Sequence, residues 1–381
     1  MKQCSVLLSS IMLFVGVLLT DCRDDFKWGR EIGGIVYEGN VVFIGDGEFP
    51  LLTEITDSRL VFSGQTEEIK RIITGSVLVL GVSDETPYGS LRKVENFQLN
   101  GGESVVSTSD AKLTDAVKDG IIRLHTILLE KDFKLESKAE GVLINGPAKS
   151  FDGIAVTLDD FEIYNSDAKI ASLDGAIGIS TEIDITIKIE SNVIKSIETN
   201  TSLIKIDEVT VSSNSGFTGK EELVAAVFTH TPIDSNNIVF VPVVSMFAGF
   251  DGTISSQITT GVRQYREINS GLRYENSQWS ANPLIHTDIF DYVKPQTTES
   301  SDLKIFSGSV VNILLFGKSI QNIKINGYYT LNADRAVSPV WKLSAGSDGT
   351  NTINADILGL SGDYVSNIEI QSSEIVNADN K

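Results

Sequence analysis

The four isoleucines Ile183, Ile185, Ile187 and Ile189 alternate with Asp184, Thr186, Lys188 and Glu190. No other feature limits the fold of this chain as much. Side chains of a strand point to opposite faces in turn, so a strict period of two builds a ribbon with one apolar and one polar face. Helical packing would scatter the same residues around a cylinder. Similar strands are expected at Ile154 to Leu158, Ser202 to Ile206 and Val209 to Val211, divided by short polar breaks. Long antiparallel strands in a meander or sandwich follow as the natural assembly. The fold class expected is therefore mainly β, with two or three short helices.

Three segments carry helical signals: Thr66 to Ile73 with Thr66 as N-cap, Asp110 to Lys118, and Lys220 to Phe228 with Leu223, Val224, Val227 and Phe228 apolar. Each is too short to be stable alone and is expected to pack on a sheet edge or end. Ile238 to Val244 is apolar at successive positions, which suits a strand covered on both faces. Loop-forming residues from Thr231 to Asn237 suggest a division there. This gives a β-rich unit with short helices over 31–234 and a second β unit over 235–381. A single composite unit with strands paired across that point is the competing arrangement.

The chain has 381 residues, 51 acidic against 31 basic, and a net charge of -20. A field of that sign repels nucleic acid, so no nucleic-acid partner is expected. The hydrophobic fraction of 41% is ample for a buried core. Only Cys4 and Cys22 occur, and a leader ending at residue 21 would leave Cys22 without an intramolecular disulfide partner.

The N-terminus has Lys2, an apolar run from Val6 to Leu19, and then Leu19-Thr20-Asp21-Cys22 followed by Arg23-Asp24-Asp25. The apolar run is short for a membrane span and reads as a signal peptide over 1–21. The tetrapeptide resembles a bacterial lipobox, with Asp21 where small residues are usual, and Arg23-Asp24-Asp25 resembles the tag that follows the lipidated cysteine in Bacteroidota surface lipoproteins. That resemblance implies acylation (for example palmitate) at Cys22, a tether over 22–30, and lipid anchoring in the outer membrane with the folded part facing outward. An ordinary secretory leader followed by an unpaired cysteine is the alternative. Between Ile55 and Val94 the segments Asp57 to Gly64, Gly75 to Gly81 and Gly89 to Val94 surround the first helical signal. Their spacing resembles a segment of secreted bacterial β-rich proteins of undetermined function, which implies an extracellular setting and no particular activity.

Catalytic and metal motifs do not stand out. His125, His230 and His286 are far apart in sequence, and no zinc-protease, nucleophile-elbow, phosphate-loop or paired-cysteine motif occurs. His125, inside the apolar run Ile121 to Leu129, is expected as a satisfied core or edge residue. Asp159, Asp160 and Glu162 form the densest acidic group on a predicted strand, but adjacent strand residues face opposite ways unless a bulge intervenes. Ser347 to Asn351 and Asp234 to Asn237 are oxygen-rich and read as ordinary Asx turns rather than calcium loops. Gly33-Gly34 and Gly101-Gly102 read as turns. No cofactor or metal is expected.

The aromatic residues Trp279, Trp341, Tyr328 and Tyr329 are the candidate ligand contacts. The function expected is a non-enzymatic envelope lipoprotein that binds an extracellular glycan or protein, or serves adhesion. Glycan capture through these rings is one alternative. An apolar-ligand carrier using the Ile183 to Ile189 stripe is another, and a hydrolase with unaligned carboxylates is the weakest.

Overall fold

The isoleucine stripe lies in one strand of 22 residues, Lys169–Glu190, with Ile183, Ile185, Ile187 and Ile189 each at most 3% exposed. At about 3.3 Å per residue such a strand is roughly 70 Å long. The computed structural model describes residues 30–144, 153–166, 169–282, 285–297 and 300–378. Cys22 and the leader lie outside the described residues.

Lys169–Glu190 sits inside a ten-stranded sheet between Val117–Leu128 and Val193–Ser213, and Ile258–Glu275 continues the ladder. An eight-stranded antiparallel sheet lies opposite, running from Phe133–Lys138 through Phe217–His230, Ile238–Ile254, Ser301–Leu315, Lys318–Ala333 and Trp341–Ile353 to Tyr364–Asn377. Inward residues of both sheets, among them Ile183, Leu203 and Ile268 from one and Val244, Ile305 and Ile323 from the other, share one apolar core. The fold is thus mainly β, as expected.

Phe217–His230 pairs with Ile238–Ile254 from Phe217↔Ile254 to Thr229↔Val243, so the ladder spans the Thr231 to Asn237 segment and ties 31–234 to 235–381 within one sheet. A separate core appears nearer the N-terminus instead. Six short strands between Val41 and Asp110 form a third sheet, whose Val41–Ile44 and Val77–Leu80 strands are parallel. One face of it carries Val42, Ile44, Leu78 and Leu80, which pack with Ile69 and Ile72 in a core of their own. The other face, with Val41, Val77, Val79 and Leu91, joins the sandwich core. Burial on both faces explains the unbroken apolar run of Val77–Leu80.

Among the described residues the α-helices are Glu67–Lys70 and Leu113–Ala116. The first has the expected cap, since the Ile69 amide donates to Thr66 Oγ1 at 3.2 Å. The second is much shorter than Asp110 to Lys118, because from Val117 the chain is a strand, paired first with Ile35–Tyr37 and from Gly120 onward with the isoleucine strand. The helix expected over Lys220 to Phe228 is a strand, Phe217–His230. A register shift between Val224 and Ala226 buries Ala225 and Ala226 in succession, and this break in alternation imitates helical spacing.

Tight turns set the registers. Gly33-Gly34, Gly101-Gly102, Ser191-Asn192, Asn236-Asn237, Asn276-Ser277 and Phe316-Gly317 each join paired strands with two residues of positive φ. That backbone matches the twist of the flanking strands, whatever the side chains. Ser347 to Asn351, expected as a turn, lies inside the strand Trp341–Ile353, with Ser347 and Asn351 fully buried. The Asp348 carboxylate there pairs with Lys304 at 3.2 Å. Asp234 to Asn237 does close an Asx-type turn, in which the Asn237 amide donates to Asp234 Oδ1 at 2.8 Å.

Candidate binding cleft

Where the six-stranded sheet meets the sandwich, the two leave a cleft of about 700 Å³, within the range that holds small ligands. Twelve of its nineteen lining residues fall between Ile55 and Arg92, the stretch whose spacing stood out in the sequence. The sandwich contributes Phe316, Gly317, Lys318 and Ile357.

Local chemistry shapes the walls. The loop carrying Pro87 and Tyr88 is fixed by Thr86, whose Oγ1 donates to the Gly81 carbonyl at 2.7 Å. It ends at Gly89, where φ is +65° and a Cβ would lie 3.1 Å from both the Leu80 oxygen and Val239 Cγ2. Only glycine lets the loop lie this close to the sandwich. On the far side Phe316 adopts φ +49° while its side chain is 4% exposed and its amide donates to the Val239 carbonyl at 3.0 Å. Holding a large residue in the left-handed region costs about 1–2 kcal/mol, which the buried ring offsets. Phe316 is the plug that fixes the sandwich wall of the cleft.

The polar groups are held firmly. Lys318 Nζ pairs with Asp110 Oδ2 at 2.6 Å across the junction. Arg92 is half-buried, its Nε donates to Ser90 Oγ at 2.8 Å, and its Nη1 donates to the Asp57 carbonyl. Thr108 is 6% exposed, and its Oγ1 has no hydrogen-bond partner. A buried hydroxyl left this way costs about 1–3 kcal/mol, and its oxygen is shielded behind the cleft wall rather than open to the cleft.

The sequence-predicted ligand contacts lie elsewhere and apart. Trp279 is half-buried, stacked on Tyr364 with centroids 5.3 Å apart and packed against Tyr274 at 5.0 Å, so it closes one end of the sandwich. Tyr364 pairs with Ile353, whereas the half-buried Trp341 pairs with Ala333 at the other end of the same strand. Twelve residues of strand separate them, roughly 40 Å, so the two indoles form no common platform. Tyr328 faces outward beneath Lys304, whose Nζ is 3.8 Å from the ring centroid, and Tyr329 is buried in the core.

Three further polar arrangements stand out. His125 is exposed on the outer face of the ten-stranded sheet rather than in the core, because Ile122, Leu124 and Leu128 take the inward positions. Its Nδ1 lies 2.7 Å from Asp184 Oδ1 and 3.9 Å from Glu182 Oε1. These three donors fall within 4.8 Å of one another beside a depression of about 440 Å³ lined by Asn200, Asn269 and Asn282, and together they could hold a divalent ion. Asp159 and Asp160 do meet a bulge: Asp160 has φ +54°, and its amide donates to Asp174 Oδ1 at 2.9 Å. Both then line a depression of about 480 Å³ with Glu140 and Glu162.

The third arrangement is inside the sandwich. Lys205 and Asp207 form a buried ion pair, with Lys205 Nζ donating to the Ser307 carbonyl at 3.1 Å and Ser307 Oγ to Asp207 Oδ1 at 2.9 Å. Nearby, Arg266 lies 2.9 Å from Asp288 and donates to the Gly346 carbonyl at 2.5 Å. Burial pushes the Lys205 ammonium below its ordinary range, and Asp207 opposes that shift. Gly327 leaves room for the pair, since a Cβ there would lie 2.6 Å from Asp207 Oδ2. Alternation signals none of this, because Lys205 and Arg266 look like wet-face residues in the sequence. No family profile, curated protein or solved structure matches this chain.

Proposed function

We propose that this chain is a lipid-anchored, non-enzymatic binding protein of the bacterial outer membrane surface, and that it takes its ligand in the cleft between the six-stranded sheet and the sandwich. The anchoring half of this reading is supported by the Leu19 to Cys22 lipobox resemblance and the Arg23-Asp24-Asp25 tag. The observation that carries the binding half is the cleft of about 700 Å³ walled by two units, with Arg92 and three carboxylates on its lining. The apolar-carrier alternative loses its motive, because the Ile183 to Ile189 stripe is packed in the sandwich core.

Labelled palmitate should enter the chain in its host, and Cys22→Ser should remove the label. Mild proteolysis of intact cells should release peptides from the Ile183 to Val211 region. Label that survives the Cys22→Ser change, or peptides protected as fully as those of a periplasmic control, would refute the surface-lipoprotein reading.

A further inference from the structure

We infer that His125, Glu182 and Asp184 form a zinc-type metal site on the outer face of the ten-stranded sheet, sharing no residue with the cleft. The sheet itself assembles the three ligands. His125 and Asp184 are register partners on adjacent strands, and Glu182 stands two residues from Asp184 on the same face. Pairing across 59 residues of chain brings the imidazole to the carboxylates, so no local spacing announces the set. The strand that carries both carboxylates is paired on each side, to Val117–Leu128 and to Val193–Ser213, which fixes the backbone beneath the ligands. All three side chains are open to an arriving ion, His125 at 61% exposure and each carboxylate at 49%.

Charge and distance select the class of ion. Elsewhere on this sheet Glu190, Glu208 and Glu275 pair with Lys188, Arg263 and Arg273. Among the described residues, Glu182 and Asp184 have no Lys or Arg within ion-pair reach, and the His125 imidazole stands in that place. A dication neutralises both carboxylates and takes the imidazole as a neutral ligand. His125 Nδ1 lies 2.7 Å from Asp184 Oδ1 and 3.9 Å from Glu182 Oε1. Around a tetrahedral zinc ion the donors stand about 3.3 Å apart, so small rotations of exposed side chains complete the geometry. One imidazole with two carboxylates suits Zn²⁺, whereas Ca²⁺ and Mg²⁺ take six or more oxygens. Three protein ligands leave a fourth position open. The adjoining depression, lined by Asn200, Asn269 and Asn282, has room for water or a small oxygen ligand there. Gly271 keeps its floor low, since a Cβ at that position would lie 2.4 Å from Asn282 Nδ2.

The test uses the full chain in detergent with Cys4→Ser and Cys22→Ser, which removes competing thiolates. After stripping with EDTA, Zn²⁺ is titrated by calorimetry, and Co²⁺ binding is followed by its visible absorption. A single Zn²⁺ should bind each chain, and saturating Zn²⁺ should raise the melting temperature. His125→Ala and Asp184→Asn should each weaken binding by about tenfold or more, since even outer-shell partners of a metal carry that much. His286→Ala should leave the affinity unchanged. The replaced side chains are exposed, so the metal-free melting temperatures should match that of the parent chain, which separates lost binding from lost folding. Co²⁺ should give the intense visible bands of a tetrahedral site in the parent chain and lose them in His125→Ala. No saturable Zn²⁺ binding, or binding indifferent to both His125→Ala and Asp184→Asn, would overturn the site. Displacement of Zn²⁺ by an equal concentration of Ca²⁺ would overturn the zinc-type assignment.

Discussion

Lys205 and Asp207 show how a single residue type can be right in one setting and costly in another. Removing one partner strands a buried charge, whereas removing both replaces an expensive pair with apolar packing. Lys205→Met should therefore destabilise the chain by about 3–5 kcal/mol in chemical denaturation, and Lys205→Met with Asp207→Leu should recover most of that loss. A double variant no better than the single would show that the pair is held by the wider network through Ser307 rather than by mutual neutralisation. Tyrosines set the alkaline limit. Burial raises the phenol of Tyr329 and, with help from Asp234, that of Tyr37 above the ordinary value near 10. Above about pH 10 the unfolded chain releases these protons and the native chain keeps them, so stability falls as pH rises. Tyr329→Phe should flatten that fall above pH 10 at little cost at pH 7, since the hydroxyl's bond to the Thr260 carbonyl is a long one of 3.4 Å.

Turns and strands carry the next level of argument. The Asn276-Ser277 hairpin has positive φ at both positions with exposed side chains, and glycine takes the second position at no steric cost. Ser277→Gly should stabilise the chain by about 1 kcal/mol, read as a shift in denaturation midpoint at constant slope. Legibility at this scale followed one rule. Where a strand had one wet and one buried face, as in Lys169–Glu190, alternation announced it. Where a bulge interrupted the period, as at Val224 to Ala226, the pattern resembled a helix and misled. The cap at Thr66 was legible because the side chain and the amide it accepts are three residues apart. The cleft was not legible: the spacing between Ile55 and Val94 set that stretch apart without marking it as a wall, and Phe316 and Lys318 come from more than two hundred residues away.

Across the whole molecule, two cores share one sheet. The six-stranded sheet has a private core with Ile69 and Ile72 and lends its other face to the sandwich, where Phe316 plugs the junction. Phe316→Ala should cost about 3–5 kcal/mol, since the cavity it opens outweighs the strain it relieves. Hydrogen exchange should then quicken in the 81–89 loop while the Ile183 to Val211 ladder stays protected. Uniform loosening of both regions would mean that the two units open as one. Local physics, namely period-two alternation, a cap three residues from its amide and glycine turns, was determined by the sequence alone, because those interactions lie within a few residues of each other. Which charged residues are buried, where the cleft opens and how Trp279 and Trp341 come to lie at opposite ends were decided only by the tertiary structure. Those outcomes depend on which strands pair and which sheets face each other, and pairing across hundreds of residues leaves no local trace.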